Sequence, residues 1–89
     1  MRYRQLGSTG KRVSMIAMGC WAFSGGKTWG DQDDKDSIAA VHAALDVGIN
    51  FFDTAEGYGS GKSEEVLGKA LQGRRAEAVI ATKVSRSNL

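Results

Sequence analysis

The sequence predicts an α/β fold in which parallel strands alternate with helices. Three mostly apolar segments, near Ile16, Phe51 and Ile80, recur roughly every 30 residues, which is about the length of one βαβ unit. Two amphipathic helical patterns separate these segments. Alternating strands and helices form a parallel sheet with right-handed crossovers. We therefore expect a hairpin, strand, helix, strand, helix and strand within a single domain over residues 1–89.

The composition excludes several classes of protein. Apolar residues make up 42% of the 89-residue chain and charged residues 25%, which is typical of a globular domain. Because the net charge is +2 and the basic residues are dispersed, we expect no nucleic-acid partner. A single cysteine permits no intrachain disulfide, and neither a signal peptide nor an apolar run of roughly 20 residues is present. We therefore expect a cytoplasmic protein without membrane insertion or a metal site, and the oligomeric state stays open.

The N-terminal segment predicts a β-hairpin followed by a buried strand. In YRQLGSTGKRVS, the glycines at Gly7 and Gly10 permit the positive φ angles of a tight hairpin turn. The run VSMIAMG, Val13–Gly19, is mostly apolar, which is typical of a strand covered on both faces. The glycine-rich segment CWAFSGGKTWGDQDD then predicts a loop.

The first helical pattern covers KDSIAAVHAALDV, Lys35–Val47. Its apolar face repeats at helical spacing and consists of Ile38, Val41, Leu45 and nearby alanines. The candidates for its N-cap are three aspartates, Asp33, Asp34 and Asp36. Gly48 is suited to the C′ position just after the helix, and His42 is interpreted as an ordinary helix residue.

The second half of the chain predicts a strand, a helix and a strand. Ile49–Phe52 is a buried-strand candidate, and the helix after it has Ser63 as its expected N-cap and Gly73 at its end. Gly68 within that helix costs roughly 1 kcal/mol relative to alanine, so we expect a neighbour packed closely against it. The apolar run AVIATKV, Ala78–Val84, predicts the last strand.

Polar side chains follow all three predicted strands. The working groups of parallel α/β proteins collect at the C-terminal ends of the strands. The first strand ends in Gly19–Trp21, the second in Asp53 with Tyr58 on the loop beyond, and the third carries Lys83 near its end. Since all three strand ends meet at one edge of the sheet, the sequence predicts a single site there.

The side chains of this set are suited to proton donation. A phenol is a weak acid, with an unperturbed pKa of about 10, but a nearby ammonium stabilises the phenolate. Lys83 would therefore make Tyr58 a stronger proton donor, and Asp53 could pair with Lys83 and hold it in place. Reduction of a carbonyl by hydride needs such a donor, and the hydride must come from a nicotinamide because no side chain supplies one.

Each of these residues also has a simpler interpretation. Asp53 alone would be a helix cap or loop residue, Tyr58 a loop aromatic, and Lys83 a solvated lysine at a strand end. Cys20 is more typical of a small buried group than of a nucleophile, and tryptophan side chains could simply fill the mouth of the fold. The glycines of EGYGSG match neither a Walker A nor a Rossmann spacing, so we interpret them as the turn that carries Tyr58 over the strand ends.

Three segments together strongly resemble the aldo-keto reductases: GCW, ALDVGINFFDTAEGYGSGKSEEVLGKAL and VIATK. The resemblance extends from the hairpin to the third strand and is strongest toward bacterial NADPH-dependent oxidoreductases and potassium-channel β subunits. It implies a (β/α)8 TIM barrel closed at its base by a hairpin. Because such a barrel takes about 250 residues, residues 1–89 would be its truncated N-terminal part, with the first three strands.

The resemblance implies catalytic roles for Asp53, Tyr58 and Lys83. The family's fourth catalytic residue, a histidine at the end of the fourth strand, has no counterpart here, and His42 cannot replace it because it lies in the first helix.

The resemblance also implies a cofactor site and a neighbouring substrate pocket. Gly19, Cys20 and Trp21 would contact the nicotinamide, and Asp53 would touch the ribose as well as orient Lys83. Cys20 occupies a position where the family usually has threonine, which removes a strong hydroxyl donor. Trp29 would border the substrate pocket.

The activity implied for the parent protein is reduction of small aldehydes or ketones with NADPH, with NADH also possible. The alternative is a non-catalytic, cofactor-sensing or regulatory protein on the same fold, similar to the channel β subunits. The 89-residue chain alone is expected to be inactive, because an unclosed barrel leaves strand edges unpaired. The identity of the carbonyl substrate stays open.

Overall fold

The computed structural model describes residues 1–86, without the side chains of residues 27 and 28. Its strands are β1 Tyr3–Gln5, β2 Arg12–Ser14, β3 Met18–Gly19, β4 Phe51–Asp53 and β5 Val79–Ala81. Its α-helices are α1 Gly26–Trp29, α2 Asp34–Asp46 and α3 Lys62–Ala70. Two 3-10 segments, Trp21–Ser24 and Arg75–Glu77, complete the elements. The predicted order of hairpin, strand, helix, strand, helix and strand is confirmed, and the predicted loop after the first strand contains two short helical segments.

The predicted first strand, Val13–Gly19, is divided into two strands in the structure. Val13 and Ser14 belong to β2, which pairs antiparallel with β1, and β3 begins only at Met18. The chain bends between them because the Ser14 side chain donates a hydrogen bond to the Ile16 carbonyl at 2.6 Å. The prediction of one continuous strand was therefore wrong, and Ile16 is exposed between the two.

The sheet has the predicted parallel arrangement, in the order β3-β4-β5. Gly19 lies opposite Asp53, and Asp53 lies opposite Ala81, so the C-terminal ends of the three strands are level with one another. Within residues 1–86, β3 and β5 each pair with β4 alone, and the sheet is open. The strand ends therefore form one accessible edge.

Helix α2 begins after Asp33, one of its three N-cap candidates, and ends before the predicted C′ residue Gly48. The Asp33 side chain accepts a backbone hydrogen bond from the first turn. Gly48 adopts φ +94° and donates to the Leu45 carbonyl, and the next N–H, that of Ile49, donates to Ala44. These two bonds make a Schellman motif. Because Ile49 completes this cap, the next strand begins at Phe51, later than predicted.

Helix α3 differs from the sequence prediction at both ends. Its N-cap is Gly61, with φ +95°, while Ser63 is fully buried inside the first turn. The helix ends at Ala70, and Gly73 lies in the turn that follows. The expectation of close packing at Gly68 was also wrong for the described residues, since an added Cβ would have nothing within 4 Å. Gly68 instead lines a groove of about 350 Å³ between α3 and β5.

The hydrophobic core lies between the sheet and the pair of helices α2 and α3. Its largest fully buried side chains are Phe52, Leu67, Leu71, Val41 and Val66. Burial of one such side chain contributes about 1.5–3 kcal/mol. Strand β5, Val79–Ala81, is shorter than the predicted Ala78–Val84, although the Lys83 carbonyl beyond it still accepts a hydrogen bond from the Glu56 N–H in the loop after β4. None of the helices in the described part of the chain is both long and apolar enough to cross a membrane.

Candidate active site at the ends of the parallel strands

The carboxylate and the ammonium predicted for the site form an ion pair. The Lys83 Nζ donates to the Asp53 Oδ1 at 2.6 Å and to the Thr54 carbonyl at 2.8 Å. The predicted pairing of Asp53 with Lys83 is thus confirmed. This hydrogen bond to Asp53 is the main reason that the pKa of Lys83 lies above its ordinary value. The ammonium is therefore charged throughout the neutral range.

Tyr58 lies between this ion pair and an aromatic wall. The Lys83 Nζ is 5.2 Å from the centroid of the Tyr58 ring, within the range of a cation–π contact. Trp21 also stacks against Tyr58, with ring centroids 5.7 Å apart and an interplanar angle of 25°. Tyr58 therefore lies beside the ion pair of Asp53 and Lys83, as the sequence predicts.

The backbone of the loop after β4 explains why it contains so much glycine. Gly59 and Gly61 have φ of +67° and +95°, values that favour glycine strongly. A Cβ at Gly59 would lie 2.6 Å from the Cβ of Ser24, so the loop also requires glycine for space. The Tyr58 carbonyl accepts a hydrogen bond from the Ser63 N–H at 3.2 Å, which joins the loop to α3. This geometry agrees with the interpretation of EGYGSG as a turn that positions Tyr58.

The ion pair and the aromatic side chains border a cleft of about 220 Å³. Its lining residues are Gly19, Cys20, Trp21, Ala22, Trp29, Asp53 and Tyr58. Trp29 meets Trp21 edge to face, with ring centroids 5.5 Å apart. Cofactor and ligand sites usually enclose about 300–1,000 Å³, so this cleft has room for one end of a dinucleotide. Its flat aromatic wall, the open space at Gly19 and the Asp53 carboxylate fit a nicotinamide and its ribose.

Cys20 supports the cleft from behind. Its side chain is fully buried, and its Sγ lies 3.6 Å from the Met18 carbonyl. Burial, together with the nearby Asp53 carboxylate, raises the pKa of the Cys20 thiol to about 11. Its N–H donates to the Asp53 carbonyl, and its own carbonyl accepts from Ser63, so its backbone groups are already engaged. The geometry therefore favours the interpretation of Cys20 as a small buried group.

Two residues behind the site were missed as functional candidates by the sequence reasoning. Thr54 and Ser63 are buried, and their hydroxyl oxygens are 2.7 Å apart. The Ser63 hydroxyl also donates to the Cys20 carbonyl at 2.7 Å. The available signal was the occurrence of small hydroxyl residues directly beside site residues, but Ser63 was explained as a helix cap.

The histidine of the chain lies away from this site. The His42 Nε2 is 2.7 Å from the Ala70 carbonyl, so His42 joins α2 to α3, in agreement with the prediction that it is an ordinary helix residue. Among the described residues, no group of His, Cys, Asp and Glu side chains is arranged to hold a metal ion.

Curated relatives match nearly the whole chain. The aldo-keto reductase YhdN of Bacillus subtilis is 46% identical over 87 residues, which cover 96% of this chain and 26% of the relative. A probable voltage-gated potassium channel subunit beta of Oryza sativa is 41% identical, over 94% of this chain and 25% of that protein. The chain thus spans about a quarter of the length of the curated relatives it matches.

Solved structures show the same likeness in three dimensions. An aldo-keto reductase from Bacillus halodurans in its holo form superposes with a TM-score of 0.81 at 37% identity, covering 94% of this chain and 26% of that one. An aldo-keto reductase from Klebsiella pneumoniae in complex with NADPH has a TM-score of 0.72 at 34% identity, covering 82% and 24%. Residues 15–89 match the model of the aldo/keto reductase family. This chain therefore belongs to the aldo/keto reductase family.

Proposed function

We propose that this chain supplies the proton donor and the nicotinamide end of the cofactor site in an oxidoreductase that reduces aldehydes or ketones to alcohols with NADPH. The observation that carries the proposal is the Lys83 ammonium, which contacts both Asp53 and the Tyr58 ring beside an aromatic cleft. The NADPH complex of the Klebsiella pneumoniae relative supports the cofactor. NADH stays possible, because this cleft would hold only the nicotinamide end that the two cofactors share.

The three polar side chains divide the chemistry of carbonyl reduction among them. When bound, NADPH supplies the hydride. The Tyr58 hydroxyl donates a proton to the carbonyl oxygen as negative charge develops on it. The Lys83 ammonium stabilises the phenolate that remains. Asp53 holds Lys83 in place and offers its carboxylate to a ribose hydroxyl.

The aromatic walls orient the reactants in this proposal. Trp21 lies flat against Tyr58 and presents the apolar surface against which a nicotinamide ring packs. Trp29 closes the cleft on the outer side and would border the small carbonyl substrate. The side chains of Lys83 and Asp53 are 54% and 50% exposed, so these rings cover only part of the ion pair.

We also propose that residues 1–89 form the first part of a (β/α)8 barrel in the cytoplasm and that these residues alone are inactive. The level ends of β3, β4 and β5 and the likeness to much longer reductases support the barrel. Within the described residues, β3 and β5 leave backbone groups unpaired on their outer edges, which disfavours a stable monomer. Sedimentation of the 89-residue chain as a monomer with a cooperative thermal transition and NADPH affinity would contradict this.

The likeness to a probable potassium-channel β subunit favours a second candidate function. In this alternative, the protein binds the nicotinamide cofactor and regulates a partner without significant turnover. The same cleft would serve both functions, since binding requires the aromatic wall and Asp53, and turnover additionally requires Tyr58 and Lys83. Cofactor binding without reduction separates the alternatives.

The test uses a chimera in which residues 1–89 replace the matching segment of the Bacillus subtilis relative. We expect the purified chimera to bind NADPH and to oxidise it in the presence of a panel of aldehydes, with the unmodified relative as the positive control. A folded chimera that binds NADPH without oxidising it would favour the regulatory alternative. A folded chimera that does not bind NADPH would overturn both.

A further inference from the structure

Two buried hydroxyl groups lie directly behind the walls of the active-site cleft. Thr54 follows the last residue of β4, and Ser63 lies in the first turn of α3. The single hydroxyl hydrogen of Ser63 is used toward the Cys20 carbonyl, at 2.7 Å. The Thr54 hydroxyl must therefore be the donor in the 2.7 Å contact between the two side chains. The result is a chain of hydrogen bonds from Thr54 through Ser63 to Cys20.

This pair of residues is bonded to each functional wall of the cleft. The Thr54 carbonyl accepts from the Lys83 Nζ at 2.8 Å. The Ser63 N–H donates to the Tyr58 carbonyl at 3.2 Å. The Ser63 hydroxyl holds the carbonyl of Cys20, the residue just before Trp21. The two residues therefore bond the ammonium directly and also hold the backbone from which the phenol and the indole project.

The connection is rigid because it is shielded from water. Thr54 is 1% exposed and Ser63 is 0% exposed, so water cannot replace a lost partner. A buried polar group without a partner is strongly disfavoured, and short buried networks of this kind specify one arrangement of the groups that they join. Thr54 is further fixed to β5 by its N–H, which donates to the Ala81 carbonyl at 2.9 Å.

We propose that Thr54 and Ser63 are positioning residues that set the placement of Lys83, Tyr58 and Trp21 relative to one another. Neither side chain is exposed to the cleft, so they act through the residues that they hold. The consequence for catalysis rests on the proposed reductase function, whereas the consequence for the cleft geometry does not.

The test compares four variants of the chimera. Thr54→Val removes the hydroxyl and keeps the shape, Thr54→Ser restores the hydroxyl, and Ser63→Ala removes the central group. Ser14→Ala is the matched control, because Ser14 is also buried, donates to the Ile16 carbonyl and accepts from the Asn50 N–H, but lies on the hairpin at the opposite end of the strands. Far-ultraviolet circular dichroism selects the variants that fold.

The first measurement is independent of activity. In chimeras labelled with 5-fluorotryptophan, the ¹⁹F resonance of Trp21, assigned by its loss in Trp21→Phe, reports the position of the indole. We expect it to shift or broaden in Thr54→Val and Ser63→Ala, and to stay in place in Thr54→Ser and Ser14→Ala. An unchanged resonance in folded Thr54→Val would overturn the proposal, whether or not the chimera is a reductase.

The second measurement is the rate of carbonyl reduction. Misplacement of reacting groups by about 1 Å costs up to about a hundredfold in rate, so we expect kcat to fall on the order of ten- to a hundredfold in Thr54→Val and to recover in Thr54→Ser. The KM for the aldehyde should change much less. A rise in KM with kcat unchanged would contradict a positioning role. If Ser63→Ala does not fold, the shape-conserving Thr54→Val and its serine rescue decide the outcome.

Discussion

Asn50 fastens the N-terminal hairpin to the base of the parallel sheet, and its removal should loosen this attachment. The Asn50 Oδ1 accepts from the Ser14 N–H at 2.7 Å, and its Nδ2 donates to the Arg12 carbonyl at 2.9 Å. Its main-chain carbonyl meanwhile accepts from the Val79 N–H of β5 at 2.7 Å. One residue thus connects β2 with the start of the sheet.

The magnitude follows from the two side-chain bonds. The bond to the Arg12 carbonyl contributes about 1 kcal/mol, and Asn50→Ala leaves the Ser14 N–H, on a buried residue, without its acceptor at a cost of about 1–3 kcal/mol. We expect a loss of about 2–4 kcal/mol in the free energy of unfolding. Asn50→Asp keeps the acceptor and loses only the donor to Arg12, so it should lose about 1 kcal/mol.

Urea unfolding of the chimera measures both free energies, and amide hydrogen exchange at Ser14 measures the local effect. Exchange at Ser14 should accelerate in Asn50→Ala and change little in Asn50→Asp. Equal losses in the two variants, or a loss below about 0.5 kcal/mol in Asn50→Ala, would refute the assignment of Asn50 as the fastening residue.

Three further predictions concern the site and its loop. The Cys20 thiol is buried, and its pKa is raised to about 11. It should therefore react with a maleimide at pH 8 only after the chimera is denatured. Rapid modification of the folded chimera would contradict the burial of Cys20. The pKa of Lys83 is raised in the folded protein, mainly by its hydrogen bond to Asp53. The ion pair therefore stabilises the fold fully below the ordinary lysine pKa, and this stabilisation is lost as the pH rises through the pKa of Lys83 in the folded protein. In an NMR titration of the Lys83 Cε, the midpoint should fall in Asp53→Asn. Gly59→Ala should lower the free energy of unfolding of the chimera more than Gly10→Ala does. Both glycines have positive φ, but only at Gly59 would the added Cβ clash, at 2.6 Å from the Ser24 Cβ. Equal losses in the two variants would exclude a spatial requirement at Gly59.

The features that the sequence predicted correctly have local causes. Asp33 and Gly48 lie at the two ends of α2 and make hydrogen bonds with its first and last turns. Because these bonds are local, the residue types alone indicated where the helix begins and ends. The convergence of Asp53, Tyr58 and Lys83 followed from the rule that parallel strands end at one edge. Their geometry in the structure agrees with this expectation, while their catalytic roles stay predictions.

The features that were mispredicted depend on residues distant in the sequence. The first strand is interrupted after Ser14, where the local bond to the Ile16 carbonyl is accompanied by a bond from the Ser14 N–H to Asn50, which lies 36 positions away. Ser63 is not a helix cap because its hydroxyl bonds to the Cys20 carbonyl, 43 positions away. The helix propensity of glycine indicated that Gly68 costs stability, from which we expected a closely packed neighbour. It contained no information on the open groove that lies beside Gly68. Hydrophobic and capping patterns contain no signal for such contacts.

The two tyrosines of this chain allow a direct test of the central claim that Tyr58 is the proton donor. Tyr3→Phe is the matched control, because the Tyr3 hydroxyl donates to the Gly48 carbonyl at 2.7 Å, before the start of β4 and not at the C-terminal end that borders the cleft. General acid catalysis contributes about 10²–10⁴-fold to a rate, so the kcat of the chimera for aldehyde reduction should fall by that factor in Tyr58→Phe. NADPH affinity should persist in that variant, because phenylalanine keeps the ring that stacks on Trp21. The account predicts a large loss of kcat in Tyr58→Phe alone, and equal kcat values in the two variants would contradict it.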